Sequence, residues 1–369
     1  MLRLLGFILL LHAYIGWRLL PDLAIGAPAT ASWLAISSVL IPLGFFARGI
    51  KRQPLADRLT WASVLAIGSF SSVFVLTLVR DVALLAGAAL GASSEEFRAY
   101  SALAVPILAA LATLIGFINA RRRARVRRVD VPIAGLPAPL HGFSIAQISD
   151  VHVGATIKRE YLDGIVDAVN ALEADMIAVT GDLVDGSVRQ LSRHTEPLSR
   201  LAARHGAFFV TGNHEYYSGA GPWVREVRRL GLSVLMNEHV VLEHEGASVV
   251  VAGVTDYSAG HFDPAQRSDP VAAIAGAPLD AGFRLLLAHQ PRSAFAAGPA
   301  GFDLQLSGHT HGGQFFPWIY FVRLQQPFTA GLHRLGRLWV YISRGTGYWG
   351  PPKRLGAPSE ITYLRLVSA

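Results

Sequence analysis

The chain has no cysteine in its 369 residues. That excludes disulfides and thiolate metal centres, and leaves His, Asp, Glu and Asn to hold any metal. The same absence says little about compartment. Charge is also scarce: Asp, Glu, Lys and Arg make up 16% of the chain against 51% hydrophobic residues, with a mean hydropathy of +0.37. These values lie above the soluble norm and imply that part of the chain sits in lipid. A third absence is any basic motif interleaved with aromatics of the kind that tracks single-stranded nucleic acid. The net charge of +7 and pI near 9.9 therefore point to another polyanion, and anionic lipid headgroups fit. No nucleic-acid binding is expected.

The apolar excess is concentrated before Arg121, which divides the chain into a membrane domain (1–120), a basic juxtamembrane linker (121–141) and a soluble domain (142–369). About 20 mainly apolar residues cross a hydrocarbon core. Four segments qualify, at roughly 4–20, 29–47, 60–90 and 99–119. The third is long and carries Arg80 and Asp81, so it reads as a span ending near Val79 with an interfacial extension to Leu90. The two charges either pair with each other, lie near headgroup level or serve a function within the membrane. A cleaved signal peptide is the alternative for the first segment, but three further spans favour a multi-pass anchor. Arg3, then Arg48, Lys51, Arg52 and Arg58, then the cluster Arg121, Arg122, Arg123, Arg125, Arg127 and Arg128 fall on one side of a four-span anchor. The positive-inside rule makes that side cytoplasmic, with the soluble domain under the inner (plasma) membrane; an extra span would reverse it.

From Phe143 onward, strand-like runs end repeatedly in polar clusters. Phe143–Ser149 runs into Asp150-Val151-His152, Asp175–Thr180 into Gly181-Asp182, and Ala207–Thr211 into Gly212-Asn213-His214-Glu215. Phe283–Ala288 ends at His289, and Phe302–Ser307 at Gly308-His309-Thr310-His311. Helical patterns near 158–173, 190–204 and 222–231 separate the early strands and predict a layered α/β domain. In such sheets ligands collect beyond the carboxyl ends of the strands.

Imidazole and oxygen donors suit Mn, Fe, Zn and similar ions. Two such ions about 3.5–4 Å apart can clamp a phosphoryl group and supply a hydroxide nucleophile. Asp182 is the natural bridging carboxylate, because Gly181 before it lets the backbone turn sharply. Period-two alternation would put Asp150 and His152 on one side of an extended strand end, and His309 and His311 likewise. Singly, each motif has a bland reading as a cap, a turn or a structural histidine. The ordered conjunction of five at strand ends does not.

This ordered set resembles the calcineurin-like metallophosphoesterase superfamily over roughly residues 143–367. The four-span anchor and the ending Gly308-His309-Thr310-His311-Gly312-Gly313-Gln314 are similar to its membrane-associated YkuE/YaeI-like group. The resemblance implies a four-layer α-β-β-α sandwich and two divalent ions (Mn, Zn, Fe or Mg). It implies that Asp150, His152, Asp182 and His311 hold one ion, while Asp182, Asn213, His289 and His309 hold the other. His214 stands where the family stabilises the transition state or protonates the leaving group; the bland reading is that it only orders its loop. Asp185 and Glu215 read as supports for ligands rather than ligands. Asp256 either faces the site or is structural, and Arg344 with the glycine-rich stretch to Arg354 either contacts a substrate phosphate or closes the sheet. His194, His205, His239, His244, His261 and His333 read as solvated or locally bonded.

The leading expectation is a membrane-anchored hydrolase of a phosphodiester or pyrophosphate, acting through a metal-bridging hydroxide on a phosphorylated, lipid-linked substrate. The resemblance suggests UDP-diacylglucosamine as the sharpest guess. The alternatives are a tethered phosphodiesterase or phosphatase for soluble substrates, and an inactive membrane scaffold. The sequence leaves oligomeric state open.

Overall fold

A computed structural model describes every residue except Met1, Ala24, Arg48, Lys51 and Ser93; the expected basic positions Arg48 and Lys51 lie outside the described residues. The chain divides into two compact units. One holds residues 1–121 with 350–355, the other 122–349 with 356–369.

The first unit contains α1 (Leu2–Leu19), α2 (Ala27–Ala47), α3 (Gln53–Ala89) and α4 (Glu95–Arg121). All four are long and apolar enough to cross a membrane. Ile15, Leu19, Leu34, Val73, Ala102 and Val105 form a shared core, while Leu10, Trp17, Val82, Leu85 and Leu114 stay exposed, as lipid-facing side chains would. The third segment is a single uninterrupted helix of 37 residues, or about 55 Å, which continues past Val79 to Ala89. Arg80 and Asp81 do not pair with each other. Neighbours on a helix point about 100° apart, and each charge finds a partner on another element. Arg80 donates to Asp22 at 2.5 Å and to the carbonyls of Arg18 and Arg98. Asp81 accepts from Arg18 and Tyr14. The segment Gly350–Leu355 also belongs to this unit, which no sequence signal announced. The Lys353 ammonium donates to the Gly68 carbonyl at 2.9 Å and to Ser72 and Thr113, and the Arg354 amide bonds the Gly116 carbonyl. Gly116 makes room for it, since a Cβ there would lie 2.6 Å from Lys353 Cγ.

The second unit is built on two six-stranded sheets. The strands are β1 (Arg125–Ile133), β2 (Ser144–Ile148), β3 (Met176–Thr180), β4 (Ala207–Val210), β5 (Ser233–Val234), β6 (Glu238–His244), β7 (Ala247–Gly253), β8 (Phe283–Leu287), β9 (Leu304–Ser307), β10 (Gly331–Leu335), β11 (Leu338–Ile342) and β12 (Glu360–Ser368). One sheet has the order β1-β12-β2-β3-β4-β5 and the other β10-β11-β9-β8-β7-β6. Strand alternation explains the layering. Ile145, Met176, Phe208, Val251, Leu285 and Leu306 meet in one buried core between the sheets. On the opposite face of the second sheet Ala252, Leu286 and Val340 join Ala294, Ala297 and Phe302 in another. Ala146, Ile148, Ile177 and Val179 are buried as well, as are Leu162, Ile165 and Val169 of α5 (Arg159–Asn170), and these outer layers complete the α-β-β-α sandwich.

The 121–141 segment is not a linker. Arg125–Ile133 is an edge strand paired in parallel with Glu360–Ser368 over nine rungs. Its inward positions Val129, Val131 and Ile133 join the inter-sheet core, while the arginines that dominate its composition lie on the exposed and half-buried positions. Pro132 is tolerated because the strand is at the sheet edge. Within each sheet the central strands run parallel, β2-β3-β4 and β7-β8-β9, so their carboxyl ends gather the polar clusters at one edge.

The Arg80 side chain is 2% exposed and that of Arg98 is 55% exposed, although both bind Asp22. Arg80→Ala should destabilise the helical unit by about 3 kcal/mol, because it removes a buried guanidinium that binds Asp22 and two carbonyls and leaves Asp22 only the exposed Arg98. Arg98→Ala should cost about 1 kcal/mol or less. Thermal unfolding of the full chain in detergent compares the two; equal effects would show that the Arg80 network does not hold the bundle.

Candidate active site

Each of the expected site residues leaves the end of a parallel strand. Asp150 and His152 follow β2, Asp182 follows β3, Asn213 begins the short helix after β4 (α7, Asn213–Ser218), His289 follows β8, and His309 and His311 follow β9. The convergence of Asp150 with His152 does not come from strand alternation, and neither does that of His309 with His311. Their backbones are left-handed, with φ of 52°, 55°, 71° and 50°, as is that of Asp182 at 51°. Extended alternation ends with the strands, and these side chains are aimed by kinks that a non-glycine residue adopts at a cost of about 1 kcal/mol or more.

Three groups of ligand-type atoms result, each within 4.8 Å: Asp150, His152 and His311; Asp182, His289 and His309; and His152, Asp185 and His214. His152 Nε2 lies 3.0 Å from His311 Nε2, which is 3.4 Å from Asp150 Oδ1. His289 Nε2 lies 3.1 Å from Asp182 Oδ2 and 3.2 Å from His309 Nδ1. Asp182 Oδ2 is also 3.9 Å from His152 Nε2, so one carboxylate oxygen borders both groups. Asn213 Oδ1 is buried with no hydrogen-bond partner among the described residues, an orphaned acceptor of the kind a cation satisfies. Imidazole, carboxylate and amide oxygen donors without sulfur fit divalent ions of the Mn, Fe or Zn type.

Close backbone approach makes this possible. Gly181 has φ of 83°, and a Cβ there would lie 2.7 Å from the Gly212 amide nitrogen and 2.8 Å from His289 Nδ1. A Cβ on Gly212 would lie 2.2 Å from Asp182 Oδ1. Buried Glu215 fastens the loops by accepting the amides of Asp182, Leu183 and Gly212 at 3.0, 2.8 and 2.6 Å. Burial and the nearby Asp182 push its carboxyl up to about 7 against those donors. Asp185 Oδ1 lies 3.0 Å from His152 Nδ1 and 2.5 Å from His214 Nδ1. The His289 Nδ1–H donates to the Thr180 carbonyl at 2.8 Å. In His152 and His289 these bonds leave Nε2 free to face the cluster, the arrangement that orients metal-binding imidazoles. The Arg344 loop closes over the same strand ends: the Thr346 and Gly347 amides bond the Ser149 and Asp150 carbonyls, and Arg344 pairs with Glu360. Asp256 accepts from Ser258 and Gln290. His205 bonds His244, and His239 and His333 bond backbone carbonyls. Two aromatic side chains neighbour His214: Trp349, inside the glycine-rich stretch that the sequence marked as a whole, and Tyr217, which nothing local marks.

Burial opposes charge on His152 and His289, yet the surrounding carboxylates prevail, raising His152 to about 9 and His289 well above its ordinary value. Burial and His289 push His309 down to about 3. Burial works to raise Asp185 and Asp182, but the imidazoles beside each hold both below the usual carboxylate range.

A family model described as calcineurin-like phosphoesterase matches residues 143–313. The chain is 36% identical over 289 residues to a zebrafish (Danio rerio) transmembrane protein with metallophosphoesterase domain, covering 75% of this chain and 66% of that relative. It is 32% identical over 315 residues to an uncharacterized metallophosphoesterase of Campylobacter jejuni, covering 83% and 82%. It is 30% identical over 241 residues to the uncharacterized metallophosphoesterase YkuE of Bacillus subtilis, covering 63% and 82%. The chain therefore spans just under two thirds of the length of the zebrafish relative.

Because His152 and His289 carry protons at neutral pH, ligation must displace them, releasing about two protons per fully loaded site at pH 7. Mn or Zn affinity should fall with pH throughout the range below about 9, by about tenfold per unit for each proton displaced. Titration calorimetry in buffers of different ionisation enthalpy measures the release; proton-neutral binding at pH 7 would contradict these charges.

Proposed function

The chain belongs to the calcineurin-like phosphoesterase family, and from that premise we propose that it is a membrane-anchored, metal-dependent phosphoesterase. Asp150, His152, Asp182 and His311 would hold one divalent ion, and Asp182, Asn213, His289 and His309 a second. The observation that carries this reading is the meeting of these side chains at the ends of five strands from two sheets, around one carboxylate oxygen of Asp182. When bound, the ions supply Lewis acidity and an activated water at neutral pH.

The remaining work falls to the protein. His214 is gripped at both ends: its amide donates to Asp182 Oδ1 at 2.8 Å and its Nδ1 meets Asp185. Its Nε2 is thereby turned toward the cluster, 4.0 Å from Asp182 Oδ2. A proton on that atom can bond a phosphoryl oxygen or pass to the leaving-group oxygen. Asp185 fixes the ring orientation, as an anchoring carboxylate does for a catalytic imidazole. The four membrane-capable helices support a phosphodiester or pyrophosphate in a lipid-linked substrate, for which UDP-diacylglucosamine is the specific candidate. The basic residues of the second interhelical link and of the segment after α4 support a cytoplasmic catalytic unit at the plasma membrane.

The test uses the full-length protein in detergent, stripped of metal and assayed on bis-p-nitrophenyl phosphate and UDP-diacylglucosamine with Mn, Zn, Mg or no ion. Restored hydrolysis supports the reading, and preference for the lipid nucleotide supports the substrate; activity on the simple diester alone would favour a soluble substrate. Asp182→Ala should abolish turnover and reduce the number of ions bound. His214→Ala should keep both ions and lose about 10²- to 10⁴-fold in kcat. A fully active Asp182→Ala protein would sink the two-ion assignment.

A further inference from the structure

The imidazole assigned above to proton transfer stands among exposed aromatic rings. Tyr217, on α7, has its ring centroid 5.2 Å from that of His214 at 70°. Trp349, from the glycine-rich loop, lies 5.6 Å away at 73°. Phe262, from the turn after β7, continues the row at 5.7 Å from Tyr217. These rings come from three separated stretches of chain, and they are 64%, 50% and 51% exposed. Single exposed apolar residues are ordinary on a protein surface. Three large rings from different loops converging beside one reactive imidazole form a patch, and such patches mark binding sites.

The rings are also held at the backbone. Gln314, which follows the His309–His311 cluster, accepts the Trp349 amide at 2.9 Å and donates to its carbonyl at 2.9 Å. Tyr217 lies within the helix that starts at Asn213, so its position is fixed by the same turn that presents the expected ligand. The aromatic faces and the phosphoryl site therefore have a defined separation, short enough for one small molecule to reach both.

We propose that Tyr217 and Trp349, extended by Phe262, form a subsite for a planar ring carried on the phosphorylated substrate, a nucleobase being the chemical class that fits. The subsite rests on the reading that a phosphoryl group binds beside His214. A π-face offers stacking that is tolerant of base identity, so the rim favours nucleotides over phosphates lacking a ring without choosing strongly among bases.

The probes are uridine 5′-monophosphate and ribose 5-phosphate, titrated into the full-length, Mn-loaded protein in detergent by calorimetry. Both carry the same phosphomonoester, and only one carries a base. The wild type should bind the nucleotide about tenfold more tightly. Tyr217→Ala and Trp349→Ala should each reduce that preference and together remove it, with ribose 5-phosphate affinity held within about twofold. Trp349→Phe should retain most of it, and an unchanged melting temperature separates loss of stacking from loss of fold. Equal affinities in the wild type, or a preference that survives both alanine substitutions, would overturn the subsite and leave the proposed phosphoesterase reading standing. Binding of neither probe would overturn both.

Discussion

Crowding of carboxylates and imidazoles around Asp182 is the constraint on which the catalytic unit depends. The donor atoms approach one another to between 3.0 and 4.0 Å, closer than uncompensated polar groups are tolerated in a buried site. The backbone opposes the arrangement too, since five of the residues involved have left-handed φ. Strain of this kind persists only where the surroundings over-determine it. Here the surroundings are two sheets whose parallel strands end at the same edge, with an apolar core between them. The sandwich thus acts as a frame that holds costly loops in place.

Two carboxylates outside the expected ligand set, buried Glu215 and the more exposed Asp185, carry much of that burden. Glu215 accepts three backbone amides from two loops; such hydrogen bonds contribute about 1 kcal/mol each. It therefore ties the turn carrying Asp182 to the turn carrying Asn213. Asp185 instead joins two imidazoles with different assignments, one presenting Nε2 as a ligand and the other as a proton donor. A shared anchor of this type fixes the distance between the proposed ion site and the proposed acid, a quantity that ligand identity alone does not set.

The sequence carried the catalytic strands and the residues at their ends because both signals are local: a short apolar run, then a polar turn. It also carried the four long apolar helices. It misjudged whatever depended on distant partners. The spacing of Asp150 and His152 suits an extended chain, but their geometry is set by hydrogen bonds to another loop, the Asp150 and His152 amides reaching the Gly181 and Asp182 carbonyls. Arg125–Ile133 looked like a basic linker because its arginines outnumber its inward valines, and its strand character appears only when Glu360–Ser368 lies beside it. Mutual pairing was one of the readings open for Arg80 and Asp81, whereas Asp22 and Arg18, about sixty positions away, take those places. Tyr217 had no pattern at all, and Trp349 only that of its glycine-rich stretch, since exposure beside His214 is a tertiary property.

The glycine-rich loop links the chemistry to the helical unit through the chain itself. Trp349 closes one stretch of the catalytic unit and stands against His214. The next residue opens the segment Gly350–Leu355, whose Lys353 and Arg354 are bonded to α3 and α4. Cutting the chain near Val131 would therefore do more than release the catalytic unit from a membrane. It would remove the carbonyls and hydroxyls that receive the Lys353 ammonium, and it would take away most of β1, exposing β12 as a new sheet edge. A fall in efficiency after such a truncation would reflect the loss of β1 from its sheet as readily as loss of a lipid substrate. Substrate preference has to be read on the full chain.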